Sequence, residues 1–228
     1  WWENEGQRAL ANNSVAFKGK PEMGTFMREW TALYESKSGE RGIFNRQSAK
    51  VKASENGRRD DNYYFGCNPC SEIILRPYQF CNLTEVVARE TDNLDSLKDK
   101  VRMATILGTF QSTLTDFKYL RKVWKDNTEE ERLLGVSLTG ILDCPILNNN
   151  YYELADVLEE LKQVAIDTNK KVSKDLGIPQ STAITCIKPS GTVSQLVDSA
   201  SGIHARHNPF YIRTVRGDNK DPLTQFMK

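Results

Sequence analysis

The sequence predicts a parallel α/β fold. Short apolar runs of strand length, at residues 83–88, 134–138, 183–187 and 210–215, alternate with longer segments whose apolar residues recur at helical spacing. Strands separated by helices pair most readily as a parallel sheet. A chain of 228 residues without internal repeat or low-complexity tract holds one large domain or two small ones, with ample material for a core.

The elements follow in order. Trp1-Trp2-Glu3 opens inside what reads as an amphipathic helix, without an initiating methionine. Met23, Phe26, Met27, Trp30, Leu33 and Tyr34 then mark a helix whose stop is expected at Gly39. Residues 50–62 are polar and broken by Asn56-Gly57, which predicts an exposed, mobile loop. A long helix starts at Asp92 or Asn93 as cap, with Leu94, Leu97, Val101, Ala104, Leu107, Phe110 and Leu114 on one face. A second runs from about Tyr152 to Leu176, closed by Gly177 with Pro179 behind it. Another begins at Asp221-Pro222, just before the sequence stops at Lys228, so both ends are expected to be cuts in a longer protein.

Composition narrows the function classes. Hydrophobic residues at 39% and charged residues at 27% describe a soluble globular chain. Thirty-one basic residues against thirty acidic ones leave +1, which gives no electrostatic case for a nucleic-acid or membrane partner. No apolar run approaches the roughly 20 residues of a bilayer span, and no secretory signal opens the sequence, so a cytoplasmic setting is expected. Five cysteines, an odd number, argue against a disulfide framework there and leave catalytic, metal-binding or buried thiols.

The cysteines concentrate in Cys67-Asn68-Pro69-Cys70-Ser71-Glu72-Ile73. In an extended segment Asn68, Cys70 and Glu72 face one side. They would offer an amide, a sulfur and a carboxylate to neighbouring hydroxyls. Three other readings stand beside this one. Cys67 and Cys70 form a CxxC that suits a thioredoxin-like dithiol, or half a zinc site with His204 and His207 as distant partners, or simply buried thiols. Tyr63, Tyr64 and Phe65 invite a radical relay, but aromatics entering a strand are expected in the core, as are Trp1, Trp2 and Trp30.

Cys81 follows Cys70 by eleven residues and opens Cys81-Asn82-Leu83-Thr84-Glu85. With it, the pattern resembles the class II, adenosylcobalamin-dependent ribonucleotide reductases, most closely the monomeric ribonucleoside-triphosphate reductases. Their finger loop is similar to Asn-Pro-Cys-x-Glu-Ile, with a redox-active cysteine leading Cys-Asn-Leu shortly after. Ala11-Asn12-Asn13-Ser14, Ser38-Gly39-Glu40-Arg41-Gly42, Gly202-Ile203-His204-Ala205-Arg206 and Tyr211-Ile212-Arg213-Thr214-Val215-Arg216 extend the resemblance over nearly the whole chain.

A second motif, Ile184-Thr185-Cys186-Ile187-Lys188-Pro189-Ser190-Gly191-Thr192-Val193-Ser194, reads as strand, tight turn and helix start. Free amides and the hydroxyls of Ser190, Thr192 and Ser194 make an anion cradle. It is not a Walker loop, because the lysine precedes the glycine. On its own it is accounted for by a plain N-cap turn. Beside the finger loop it resembles the turn, Pro189, Ser190, Gly191, Thr192, Val193 and Ser194, that binds substrate phosphates in the family.

The resemblance implies the second half of a ten-stranded α/β barrel, with a central finger loop at about residues 66–76. It implies ribonucleotide reduction in which Cys70 carries the radical and Glu72 acts as base. Asn68 would hold the sugar hydroxyls and Cys81 supply one of two reducing thiols. It implies adenosylcobalamin as cofactor, a thioredoxin-like reductant, and a missing N-terminal half that carries the partner of Cys81. Cys67 is expected to be structural. The open alternatives are a class I-like enzyme fed by a metallosubunit and a zinc or dithiol module.

Overall fold

The computed structural model describes residues 11–37, 41–148, 151–212 and 217–228. The first unit is a parallel pair with a helical crossover: β1 (Ser14–Phe17) lies beside β2 (Gly42–Asn45), joined through α1 (Met23–Ser36). Parallel neighbours require such a crossover. Lys37 ends α1 in the left-handed region at φ 50°, so the helix stops before Gly39, which lies outside the described residues. Trp30, expected in the core, is half exposed and stacks on Phe26 at 5.9 Å; Trp1 and Trp2 lie outside the described residues.

The loop expected over residues 50–62 is a helix through its first part. Asn45 caps α2 (Arg46–Ser54) by accepting from the Gln47 and Ser48 amides at 2.9 and 3.0 Å. Ala49 and Ala53, four residues apart, bury one face of it beside Phe65. Polar composition hid this element, since its apolar stripe consists of two alanines. Of the aromatic run, Phe65 is fully buried and Tyr63 packs beside it, whereas Tyr64 is exposed with the Arg46 guanidinium 4.0 Å from its ring centre.

The main layer is parallel, as expected. β5 (Asn82–Val87) pairs with β6 (Leu134–Thr139), Leu83 opposite Gly135 and Glu85 opposite Ser137. The expected strand at 183–187 runs along the other edge of β6. The Leu134 amide donates to Ala183 O (3.0 Å), Val136 N to Ile184 O (2.9 Å) and Cys186 N to Val136 O (3.0 Å), around one parallel bridge at Thr185. The central position of β6 explains why all six of its residues are buried. The strand expected at 210–215 does not form at 210–212, where Phe210 and Ile212 are 93% and 98% exposed with no neighbouring strand; 213–216 lie outside the described residues. Among the described residues the named strands make three two-stranded sheets, all open.

Two long helices cover the main layer. Asn93 starts α3 (Leu94–Gln111) with a capping box to Ser96, and Gly177 at φ 66° follows the end of α6 (Tyr151–Leu176). Leu97, Val101 and Ala104 enter the core with Leu161 and Ala165. Beyond Ala104 the buried stripe passes to Thr105, Gly108 and Thr109, leaving Leu107, Phe110 and Leu114 exposed. A Cβ on Gly108 would stand 3.5 Å from Leu134 and Thr84 side chains, in ordinary contact with the sheet. The threonine hydroxyls are satisfied by carbonyls one turn back, Val101 O and Thr105 O, both at 2.7 Å. None of the described helices is long and apolar enough to cross a membrane.

The hairpin that carries Cys67 and Cys70 is bolted to this layer through one carboxylate. Glu131, the last residue of α4 (Lys122–Glu131), accepts from Arg59 Nε and Nη2 at 2.8 Å each and from Gln79 Nε2 at 2.6 Å; Arg76 Nη2 lies 3.0 Å away. Arg59 also donates to Ile74 O at 2.8 Å. Removing one partner of a buried ion pair strands the others without compensation. Glu131→Ala is therefore expected to lower unfolding free energy by about 3–5 kcal/mol in a denaturant titration. A loss below about 1 kcal/mol, the surface-pair range, would contradict this role.

Candidate active site

The site starts from a two-residue hairpin arm. β3 (Gly66–Cys67) pairs antiparallel with β4 (Ile74–Leu75), and the six residues between them form the loop tip. The loop is not extended. Ser71 N donates to Asn68 O at 3.0 Å and Ser71 adopts φ 65°, so residues 68–71 form a turn. The alternation of Asn68, Cys70 and Glu72 along a strand is thus corrected: the turn points the three side chains differently. Asn68 braces the loop, its Oδ1 accepting from Ile73 N at 3.0 Å and its own amide donating to Ile73 O at 3.2 Å. Cys70 is exposed at the tip and accepts from Asn12 Nδ2 at 3.3 Å. Cys67 sits at the base with its sulfur 3.4 Å from Ser71 Oγ.

Glu72 turns inward. Its side chain is 6% exposed and neither carboxylate oxygen has a hydrogen-bond partner; Lys188 Nζ stands 4.0 Å from Oε1. A hollow of about 410 Å³ opens on Glu72, bordered by Ile73, Arg58, Arg59 and Thr185.

Beneath the loop, the sheet carries two thiols. Cys81 precedes β5 and Cys186 lies on the far side of β6, and Gly135 leaves the space between them open. A Cβ there would fall 3.2 Å from Cys81 Sγ, 3.1 Å from Cys186 Sγ and 2.5 Å from Leu83 Cδ2. Burial pushes the Cys81 thiol far up, reinforced by Cys186. Burial, with Glu72 second, pushes Cys186 up to about 12. Both remain protonated thiols at neutral pH, suited to giving up hydrogen rather than to attacking as thiolates.

The predicted phosphate turn follows directly. Lys188 N donates to Ser137 Oγ at 2.8 Å, and α7 (Thr192–Leu196) begins after Gly191. Ser194 is fully buried and spends its hydroxyl on Ser190 O (2.8 Å) and Gly191 O (2.7 Å). Its hydroxyl thus shapes the turn. Ser190 is buried with its hydroxyl unpartnered, while Thr192 and Val193 are exposed beside a cleft of about 960 Å³ and Pro189 is exposed at the turn's start. Gly202, at φ 52°, packs where a Cβ would come 2.8 Å from Lys188 O, which pins the turn from behind.

Two motifs more than a hundred residues apart thus meet at Lys188 and Glu72. Sequence reading passed over Gly135, Cys186, Lys188 and the contact of Asn12 with Cys70. Each lies inside or beside a quoted motif, but only strand register brings them together. Among the described residues no three His, Cys, Asp or Glu side chains converge as metal ligands.

No family model matches the chain. An adenosylcobalamin-dependent ribonucleoside-triphosphate reductase of Lacticaseibacillus paracasei is 29% identical across 95% of the chain. Its Euglena gracilis counterpart is 28% identical across 82%, and a probable one from Dictyostelium discoideum is 31% identical across 68%. These reductases are the chain's homologues. The chain spans about a third of their length or less: 32%, 26% and 20% respectively. A crystal structure of a B12-dependent class II ribonucleotide reductase superposes with TM-score 0.69 at 22% identity, over 89% of this chain and 32% of that one, which shows a shared α/β fold.

Two outcomes test the site. Near neutral pH, iodoacetamide should alkylate exposed Cys70 well before Cys81 or Cys186, with Cys186 reacting faster only as pH climbs toward about 12; peptide mapping reads the order. Gly135→Ala should destabilise the fold by about 1–3 kcal/mol in thermal unfolding, because the new methyl overlaps Leu83.

Proposed function

We propose that this chain supplies the radical cysteine, the base and the phosphate turn of an adenosylcobalamin-dependent ribonucleotide reductase. It acts on ribonucleoside triphosphates in the cytoplasm. The observation that carries the reading is the meeting of the finger-loop motif and the phosphate turn at one place, with Cys70 exposed on the tip and Glu72 buried behind it. Similarity to the reductases along most of the chain supports it. The open edges of the main layer are where the rest of a ten-stranded barrel would continue, with the 66–76 hairpin as its central finger.

The chemistry follows from the side chains. Cys70 takes hydrogen from the ribose 3′ carbon and returns it at the end, which a weak S–H bond allows. Glu72 holds the 3′-hydroxyl proton, and Asn68 reaches the sugar hydroxyls through the Nδ2 not engaged in bracing the loop. The 2′ C–O bond breaks, oxygen leaves as water, and two thiols supply the hydrogens and electrons while closing to a disulfide. Cys81 is one of them.

The partner of Cys81, as the resemblance implies, is a cysteine of the N-terminal half of such a barrel, and a thioredoxin-like protein restores the pair. Backbone amides of residues 191–193 and the Thr192 hydroxyl bind the phosphates. Adenosylcobalamin supplies, when bound, the initiating radical. Cys70 is the group of this chain that fits it, an exposed thiol held only by the Asn12 amide.

In the full-length protein, Cys70→Ser should abolish deoxyribonucleotide formation while nucleotide binding stays within about twofold, and wild-type turnover should require added adenosylcobalamin. Turnover retained by the serine variant, or unaffected by omitting the cofactor, overturns the assignment.

A further inference from the structure

We infer that Lys188 is a positioning residue for Glu72, holding the carboxylate in place from the strand that leads into the phosphate turn. This rests on the functional reading above and adds a residue to it.

Glu72 presents an electrostatic problem that its own loop does not solve. Its carboxylate is buried, and neither oxygen accepts a hydrogen bond. A buried carboxylate needs a cation or several donors to remain in place. The charged and titratable groups around it come from α2 and the segment after it (Lys52, Glu55, Arg58, Arg59), from α6 (Lys162), from the β5 arm (Cys81, Glu85) and from the strand beside β6 (Cys186, Lys188); Lys52 is paired with Glu55 and Lys162 with Glu159. Arg59 is spent, its fork filled by Glu131, Gln79 and Ile74 O. Glu85 carries the same charge, and the two cysteines stay neutral. Arg58 lines the hollow, but no ion pair joins it to Glu72.

Lys188 answers the need. Its ammonium is 4.0 Å from Glu72 Oε1. Its backbone is fixed on both sides, the amide donating to Ser137 Oγ at 2.8 Å and the carbonyl packed against Gly202. Pro189 follows and restricts the backbone further. A lysine so anchored carries its charge to a defined place, and the side chain remains one-third exposed. Lys188 is also the residue immediately before the turn at 189–194, so the same anchor that sets the phosphate site sets the carboxylate.

Four variants of the full-length protein test this: Lys188→Met, Lys188→Arg, Glu72→Gln and the Lys188→Met/Glu72→Gln double variant. Lys188→Met should lower kcat for ribonucleotide reduction roughly tenfold to a hundredfold with KM little changed. Lys188→Arg should recover most of the loss, and the double variant should be no slower than Glu72→Gln alone. Independent losses in the double variant, or no rescue by arginine, overturn the inference. A second readout does not depend on turnover. Acetic anhydride labelling of Lys188, followed by mass spectrometry, should speed up in Glu72→Gln and stay unchanged in Glu85→Gln. Labelling unaffected by Glu72→Gln overturns the Lys188 assignment whatever the kinetics show. A wild type that reduces no ribonucleotide overturns only the functional reading.

Discussion

The buried carboxylate of Glu131 fixes the Cys67–Cys70 hairpin relative to the sheet, and the rest of the site depends on that attachment. Two guanidinium groups and an amide converge on it, from Arg59, Arg76 and Gln79. Arg59 and Gln79 flank the hairpin in sequence, and Ile74 inside it is held by Arg59. Glu131 itself ends α4 just before β6, and its carbonyl accepts from Thr182 N, ahead of the third strand. A β-hairpin with two paired residues per arm has little stability of its own. Geometry at the tip is therefore borrowed from this ion cluster, not generated by the loop.

A second constraint acts within the sheet. Gly135 stands on the central strand where any side chain would collide with Leu83 and both flanking sulfurs. The absence of a methyl group there lets Cys81 lean over the face that Glu72 covers. Ser137, two residues on and pointing the same way, takes the amide of Lys188. One face of β6 thus organises the thiol, the lysine and the turn, while the other face builds the core with α3 and α6. Such division of a buried strand into a packing face and a chemical face is typical of parallel sheets, whose ligands bind where the strands end.

Sequence patterns carry structural information where a local backbone requirement sets them. The capping box at Asn93 and the glycine stop at Gly177 were legible because each follows from local backbone requirements. Helix α2 was not, since two alanines make a weak stripe whose partner, Phe65, lies across the chain. The far end of α3 was misplaced because its buried face is made of threonines and a glycine, which carry no apolar signal. At the tip, the motif residues were legible but their directions were not. Alternation assumes a strand, and Ser71 in the left-handed region breaks it.

The sequence by itself determined the α/β class, the residue types gathered at the candidate site and the motifs that link this chain to the reductases. Those depend on residue type, short-range periodicity and spacing. Only the tertiary structure decided that Asn68 braces its own loop, that Ser194 points inward, and that Lys188 stands beside Glu72. The physical reason is register. Which side chains share a face across three strands, and which sulfur lies over which glycine, is set by strand pairing and by a buried ion cluster between residues more than fifty positions apart.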